Sequence, residues 1–292
     1  MKPNGNSILK KPYLWLIFPG SIFLFVFFVI PMSSMIRMSF NIRPPAGDII
    51  PTWSTANYLK IFGDFYYLAI FVHTFLMGIV VTFLTILLGF PLAHKYVYSR
   101  GRTKEILLLV ILGPLLITMV VRVYGWIVIL GTNGLINNIL SSVGLIVNPL
   151  KLMYNPTGVI IGLTHVLLPF MAISIATSLQ NIHPSIWEAA EMLGASRRQV
   201  FFRVTIPLCK PGIIAGSILV FSLAVSVFVT PMMLGGSGLR SIVILIYTHG
   251  LVLLNWPLAA ALAVVLLGIL LITMFLQGRT QKGLDWGPSG KG

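Results

Sequence analysis

The sequence predicts an all-α membrane protein with six transmembrane helices, on three observations. Hydrophobic residues fill 57% of the 292 positions and charged ones only 9%, which excludes a water-soluble globular domain. Six stretches are apolar over roughly the ~20 residues a helix needs to cross about 30 Å of hydrocarbon. No alternating barrel pattern is visible, and a backbone amide unpaired in lipid costs several kcal/mol, so the crossings are helices.

The first span covers residues 13–36. Its apolar run is longer than the roughly 7 to 15 residues of a secretory core, and no small-x-small cleavage site follows in "VIPMSSMIRMSF", so it reads as retained. In the loop of residues 37–68, Pro44, Pro45 and Pro51 block regular helix and the aromatics of "NYLKIFGDFYY" suit an interface, with room for one short surface helix. The second span, residues 69–96, leads through the short basic turn "KYVYSRGRTKE" into the third, residues 106–130. The Gly-, Asn- and Ser-rich stretch ending at Asn155-Pro156 is turn chemistry with space for one amphipathic helical turn. The fourth span is residues 157–180, the fifth 212–233 and the sixth 257–277. Between the last two, residues 242–254 are apolar but too short for a clean crossing, and a seventh span would turn the basic tail outward, so segment 239–255 is read as interfacial or re-entrant. The spans form one transmembrane domain, residues 1–292.

On this arrangement fourteen Lys and Arg lie on one side and six on the other: Arg37, Arg43, Lys60, Arg122, Lys151 and Arg240. The bias places both termini in the cytoplasm. The net charge of +14 thus reports orientation and headgroup attraction rather than a polynucleotide footprint.

The chemistry-bearing motifs are mostly missing. There is no G-x-x-x-x-G-K-[ST] phosphate loop, since "GGSGLR" lacks the lysine and the hydroxyl after it, and no G-x-S-x-G. The five histidines have neither metal-ligand spacing nor a Cys or carboxylate cluster beside them, so no metal site and no catalytic residue is assigned. Cys209 is the only cysteine, which rules out an internal disulfide. All six acids fall in loops or at span ends, whereas a proton-driven transporter needs an ionisable relay in the bilayer. His165, four residues before Pro169, is the one candidate; such a histidine more often bonds a neighbouring helix or a carbonyl freed by the proline. Gly158/Gly162 and Gly212/Gly216 have the small-xxx-small spacing that permits close helix approach.

One charged stretch, "EAAEMLGASRRQVFFRVTIP" at residues 188–207, lies between the fourth and fifth spans. Ser185 three residues before Glu188 has capping-box spacing, predicting a helix from Ser185. Leu193-Gly194 ends it, glycine being the residue that takes the left-handed position cheaply. Ser196 with Gln199 repeats the box and opens a second helix toward a kink at Pro207. Ile186, Ala190 and Leu193 share a face of the first helix, and Ala189 and Ala190 keep its waist thin enough to enter a groove on another protein. An amphipathic helix on the headgroups, anchored by Arg197, Arg198 and Arg203, is the plainer alternative.

Glu188-Ala189-Ala190, three residues, Gly194, nine residues and then Val204-Thr205-Ile206-Pro207 resembles the EAA motif of ABC importer permeases, E-A-A-x3-G-x9-I-x-L-P. The departures are Val204 for Ile and Ile206 for Leu. The flanks "NPTGVIIGLTHVLLPFM" and "PLCKPGIIAG" are similar to the spermidine/putrescine branch, and the resemblance is strongest from Tyr154 to Gly216. It implies a type I importer permease fold with a cytoplasmic coupling helix formed by Glu188, Ala189, Ala190, Leu193 and Gly194, with Arg197 and Pro207 behind it. It further implies half of a pore, completed by a second permease. Two ATP-binding subunits that hold ATP and Mg and a periplasmic solute-binding protein complete the assembly, and the chain has no cofactor of its own. Polyamine members of the branch commonly place a carboxylate in the fifth span before the Leu-Gly-Gly turn, where this chain has Val225-Ser226-Val227-Phe228-Val229-Thr230. A polycation would then need an acid from the partner, and another small polar organic solute is the other expectation. Arg122, His165, Phe228 and Thr230 are the candidate pathway residues. The alternative function, a stand-alone secondary transporter or channel for a small solute, calls for intramembrane carboxylates or inverted halves, neither of which is visible.

Overall fold

A computed structural model describes residues 13–44, 47–236 and 238–282. In chain order its helices are α1 (Tyr13–Leu24), α2 (Ile30–Ser39), α3 (Ala56–Gly63), α4 (Phe65–Tyr98), α5 (Arg102–Leu116), α6 (Met119–Leu130), α7 (Leu135–Ser142) and α8 (Pro156–Gln180). They continue as α9 (Ser185–Met192), α10 (Arg197–Val200), α11 (Ile206–Leu208), α12 (Lys210–Ser226), α13 (Val229–Leu234), α14 (Ile242–Tyr247) and α15 (Trp256–Lys282). The described residues are mostly helical and contain no strand, only an isolated bridge between Ile42 and Ile50. Among the described residues five helical stretches are long and apolar enough to cross a membrane, Phe18–Ser39, Phe65–Tyr98, Met119–Ser142, Pro156–Gln180 and Trp256–Leu276, and they become six when the pair bent by 59°, Arg197–Leu208 with Lys210–Ser226, is counted as one span; the third stretch lies later than the expected 106–130.

Single wide π turns link some of these helices: Phe25–Val29 before α2, Phe201–Thr205 between α10 and α11, and Thr248–Val252 after α14. The first two end two residues before a proline, Pro31 and Pro207. A proline ring clashes with the carbonyl four residues back and cannot supply an N–H, and widening the preceding turn relieves the clash without ending the helix.

The chain divides into two units. One runs to Asp64 and resumes at Ile246–Leu266; the other comprises Phe65–Leu245 and the chain from Leu267. In the first, the loop expected to be irregular is tied down. Arg37 Nη1 donates to Asn41 Oδ1 at 2.6 Å and to the Thr52 carbonyl at 2.8 Å, its guanidinium lies 4.3 Å from the centre of the Trp53 ring, and the Ser39 and Tyr58 hydroxyls are 2.6 Å apart. The expected surface helix is α3. By contrast, every residue from Phe18 to Pro31 is exposed, an apolar surface suited to lipid or another subunit.

The core of the second unit is the packing of α4, α8 and α12, and glycines allow it. A Cβ on Gly212 would sit 2.4 Å from the Ser178 Cβ and 2.6 Å from the Ser174 carbonyl, and one on Gly216 would sit 2.7 Å from the Met171 sulfur. A Cβ on Gly78 would be 2.8 Å from Val225. Since lipid tails are as apolar as the helices, this contact area, more than a hydrophobic drive, holds the bundle. On α4 the hydroxyls of Thr74, Thr82 and Thr85 donate to the carbonyls of Ile70, Gly78 and Thr82 at 2.8, 2.7 and 2.8 Å. Thr74 also accepts from the Ile242 amide at 3.1 Å, so α14 starts against α4.

The structure interrupts two expected spans. The third breaks at Ile117 and Thr118, both extended, between α5 and α6. Arg122 Nη2 donates to the carbonyl of Ile117 at 2.6 Å, filling one of the acceptors that the broken helix leaves open. The fifth breaks at Val227, extended, between α12 and α13, and its bend falls at Cys209 rather than at Pro207. Segment 242–252 is an apolar helix of eleven residues, about 16 Å long and too short to cross.

Candidate functional site

The charged stretch folds as a helical hairpin. Its first helix, α9, contains no buried residue; Met192 and Leu193 are each 89% exposed and Glu188 and Ala189 are exposed as well. Gly194 has φ +83°, its amide donates to the Glu191 carbonyl at 2.9 Å, and the Ala195 amide donates to the Ala190 carbonyl at 3.1 Å. That bond pair is a Schellman turn, which closes the free carbonyls of the helix end and needs a left-handed residue at this position. The second capping box forms as expected, with the Gln199 amide donating to Ser196 Oγ at 3.3 Å and the Ser196 amide donating to Gln199 Oε1 at 2.8 Å.

The first capping box does not form. The helix begins at Ser185 as expected, but Pro184, at φ −54° and ψ −33°, is already helical and holds the cap position, so Ser185 is the first residue of the helix rather than its cap. His183 takes the capping role: its Nδ1 accepts from the Ser185 amide at 3.3 Å and pairs with the Ser185 hydroxyl at 2.8 Å.

A single large side chain ties α9 to the rest of its unit. Trp187, half-buried, donates from Nε1 to the Thr205 hydroxyl at 3.2 Å and packs edge-on against Tyr98, ring centres 5.3 Å apart. Tyr98 meets His94 at 4.7 Å, and His94 and Phe90 meet Phe201 at 5.9 and 5.5 Å. Helix α4, 34 residues and about 50 Å long, outruns the hydrocarbon and delivers His94 and Tyr98 to the hairpin. A cavity of about 550 Å³ lies between them, lined by Trp187, Glu191 and Arg197 among others. Sequence reasoning missed Trp187, Tyr98, Thr205 and Phe201 as anchors. The available signal was that Trp187 lies off the Ile186/Ala190/Leu193 stripe, on a side of the helix that needed its own cover.

The hairpin residues expected to act together are brought together: Ala190, Leu193 and Gly194 line one shallow groove with Ala195, Gln199, Arg203 and Val204, while Glu188 and Ala189 stand exposed on α9. Arg197 lines the cavity behind, and Pro207 lies in α11, past the π turn. Each pathway candidate has its own local contact. His165 Nδ1 accepts from Trp126 Nε1 at 3.2 Å, a bond between neighbouring helices. Arg122 is committed to the broken helix end. Thr230 is fully buried, with its methyl 3.2 Å from where a Gly162 side chain would begin, and Phe228 is half-buried at the break after α12. Among the described residues no three His, Cys, Asp or Glu form a group able to hold a metal.

Residues 85–285 match the family described as "Binding-protein-dependent transport system inner membrane component". The chain is 32% identical over 263 residues to the spermidine/putrescine transport system permease protein PotB of Escherichia coli (strain K12), covering 89% of this chain and 94% of that one. It is 30% identical to the PotB of Haemophilus influenzae over 280 residues, 96% of each chain. Among solved structures, a bacterial alginate ABC transporter in complex with its alginate pentasaccharide-bound periplasmic protein superposes with a TM-score of 0.74 at 17% identity, over 94% of this chain and 95% of that one. The MetNI methionine ABC transporter in an inward-facing conformation gives 0.59 at 16% identity, over 75% and 95%. These two likenesses concern the fold.

Proposed function

The chain belongs to the family of binding-protein-dependent transport system inner membrane components, and from that premise we propose that it forms half of the pore of an ATP-driven polyamine importer. It is a permease subunit of an ABC importer, built on the type I importer fold and resident in the inner membrane. The relatives named for spermidine and putrescine support a polyamine as the transported solute. With no acid among Val225–Thr230 in sequence, the charge that a polyamine needs comes from the second permease of the pair.

The observation that carries the reading is α9, a helix with no buried side chain, closed at its C-terminal end by a Schellman turn, in a chain without a phosphate loop. An exposed helix of eight residues with Met192 and Leu193 in solvent needs a groove elsewhere. The groove belongs to one of two ATP-binding subunits that hold ATP and Mg, and a periplasmic solute-binding protein loads the opposite side. Both termini are cytoplasmic, which puts the hairpin on the ATPase side. When the two ATPases close on ATP, Glu188, Ala189, Ala190, Leu193 and Gly194 move with their cleft. Trp187 passes the displacement to Tyr98 on α4 and to Thr205, and from Thr205 it runs through Pro207 and the bend at Cys209 into α12.

The test is purification and transport. A tagged chain extracted in mild detergent brings a soluble-type ATPase with it, and the complex in proteoliposomes, with the solute-binding protein on the opposite side from ATP, accumulates spermidine. Glu188→Lys inserts normally but loses both ATPase retention and uptake. Normal retention and uptake by Glu188→Lys overturns the coupling assignment; uptake of a different solute overturns only the polyamine.

A further inference from the structure

The first unit holds a cavity of about 320 Å³ whose lining is basic: the cations Arg43 and Lys60 converge on it with His249 and Asn255, and no acidic residue is among those that line it. These positions lie far apart in sequence, so the fold assembles the cluster. Arg43 Nη1 donates to the carbonyl of Leu253, immediately before Leu254, whose φ of +53° is the left-handed conformation that a branched side chain avoids. The strained turn is thus held by the cation that lines the cavity. Like charges gathered without an acid repel one another, and they stay together at least cost when an anion sits among them. Burial, and after it the charge of Lys60, holds the His249 imidazole below its ordinary value, so Arg43 and Lys60 carry the charge of the site.

Beside the cavity the surface is apolar. Residues 251–254 are four consecutive hydrophobic side chains, each more than half exposed, and Trp256, also half exposed, follows. Exposed leucines next to an aromatic are the composition of a membrane interface. A ligand that satisfies both halves has an anionic head and hydrocarbon chains. We propose that Arg43, Lys60, His249 and Asn255 hold the phosphate-bearing headgroup of an anionic phospholipid whose acyl chains lie along residues 251–254. On the topology proposed above the site faces the outer leaflet. It requires only that the chain spans a membrane, so it stands or falls apart from the transported solute.

The assembled transporter is placed in nanodiscs of equimolar phosphatidylglycerol and phosphatidylcholine, and retained lipids are counted by native mass spectrometry. The wild type retains phosphatidylglycerol in preference to phosphatidylcholine. Lys60→Gln, an exposed position outside the hairpin, weakens that retention about fivefold and Arg43→Gln with Lys60→Gln further, at about fivefold for each charge removed, while phosphatidylcholine is unaffected. Arg43→Lys keeps the charge and most of the retention, which separates lost charge from a disturbed turn. Equal retention in wild type and double variant overturns the proposal. So does soluble glycerophosphate binding as tightly as the lipid, since the apolar strip would then contribute nothing. Unchanged lipid counts with lost binding of the solute-binding protein would reassign the cations to a protein carboxylate.

Discussion

Gly194 permits a quantitative test of the hairpin, because backbone strain and steric clash are separable there. A Cβ on Gly194 would meet nothing within 4 Å, so a substitution adds no collision. What remains is φ +83°, where an L-residue pays roughly 1–2 kcal/mol relative to glycine. That strain is relieved only if the Schellman turn opens, and opening it displaces α9 relative to α10. If the ATPase cleft requires the closed turn, Gly194→Ala weakens its seating by about 5–30-fold, since 1.4 kcal/mol is a factor of ten. Asn tolerates the left-handed region better, so Gly194→Asn loses less, and the β-branched Gly194→Val loses most. The assay is titration of the purified permease pair in nanodiscs with the ATPase subunit, with far-UV circular dichroism to check that insertion and helix content are unchanged. Equal affinities for Gly, Asn, Ala and Val at this position would refute the argument, because the turn would then be irrelevant to docking.

Three further outcomes follow from the packing. Trp187→Phe keeps a ring against Tyr98 but loses the bond to Thr205, costing about 1 kcal/mol; amide exchange in residues 185–200 accelerates several-fold while that of α8 is unchanged. Gly212→Ala places a Cβ 2.4 Å from Ser178 and lowers thermal stability in detergent by about 1–3 kcal/mol, whereas Gly268→Ala, with nothing within 4 Å, leaves it unchanged or raises it. Cys209 is fully buried, so maleimide labels it slowly in the folded protein and promptly after denaturation; prompt labelling in the folded state would mean that the bend at this residue opens.

The parts of the fold legible in the sequence were those set by local chemistry or gross hydropathy. Gly194 marked a helix end because few residues tolerate its conformation, Ser196 and Gln199 marked a helix start, and the stretches that cross were apolar enough to be seen. The breaks at Ile117 and Val227 were illegible because the residues on either side are equally apolar, so hydropathy continues through a backbone that does not. Pro184 misled for a different reason: it has helical angles and takes the cap position itself, which puts Ser185 inside the helix instead of in front of it. The anchoring role of Trp187 depends on Tyr98 and Thr205, far away in sequence, and a periodicity argument sees only the face a helix offers to solvent. Arg122 and His165 looked functional as lone polar groups in apolar spans, yet their partners, the Ile117 carbonyl and Trp126, are revealed only by the three-dimensional arrangement.

The wide turn at Phe201–Thr205 acts as a counting device. An α-helix places successive side chains about 100° apart, and a π turn absorbs one more residue in the same length. Every residue upstream of the turn therefore faces a direction that depends on that extra residue being present. The nine positions between Gly194 and Val204 amount to a phase as well as a distance: shortening the interval by one would re-aim the projecting knob by about a quarter of a revolution and pull Trp187 off Thr205 and Tyr98.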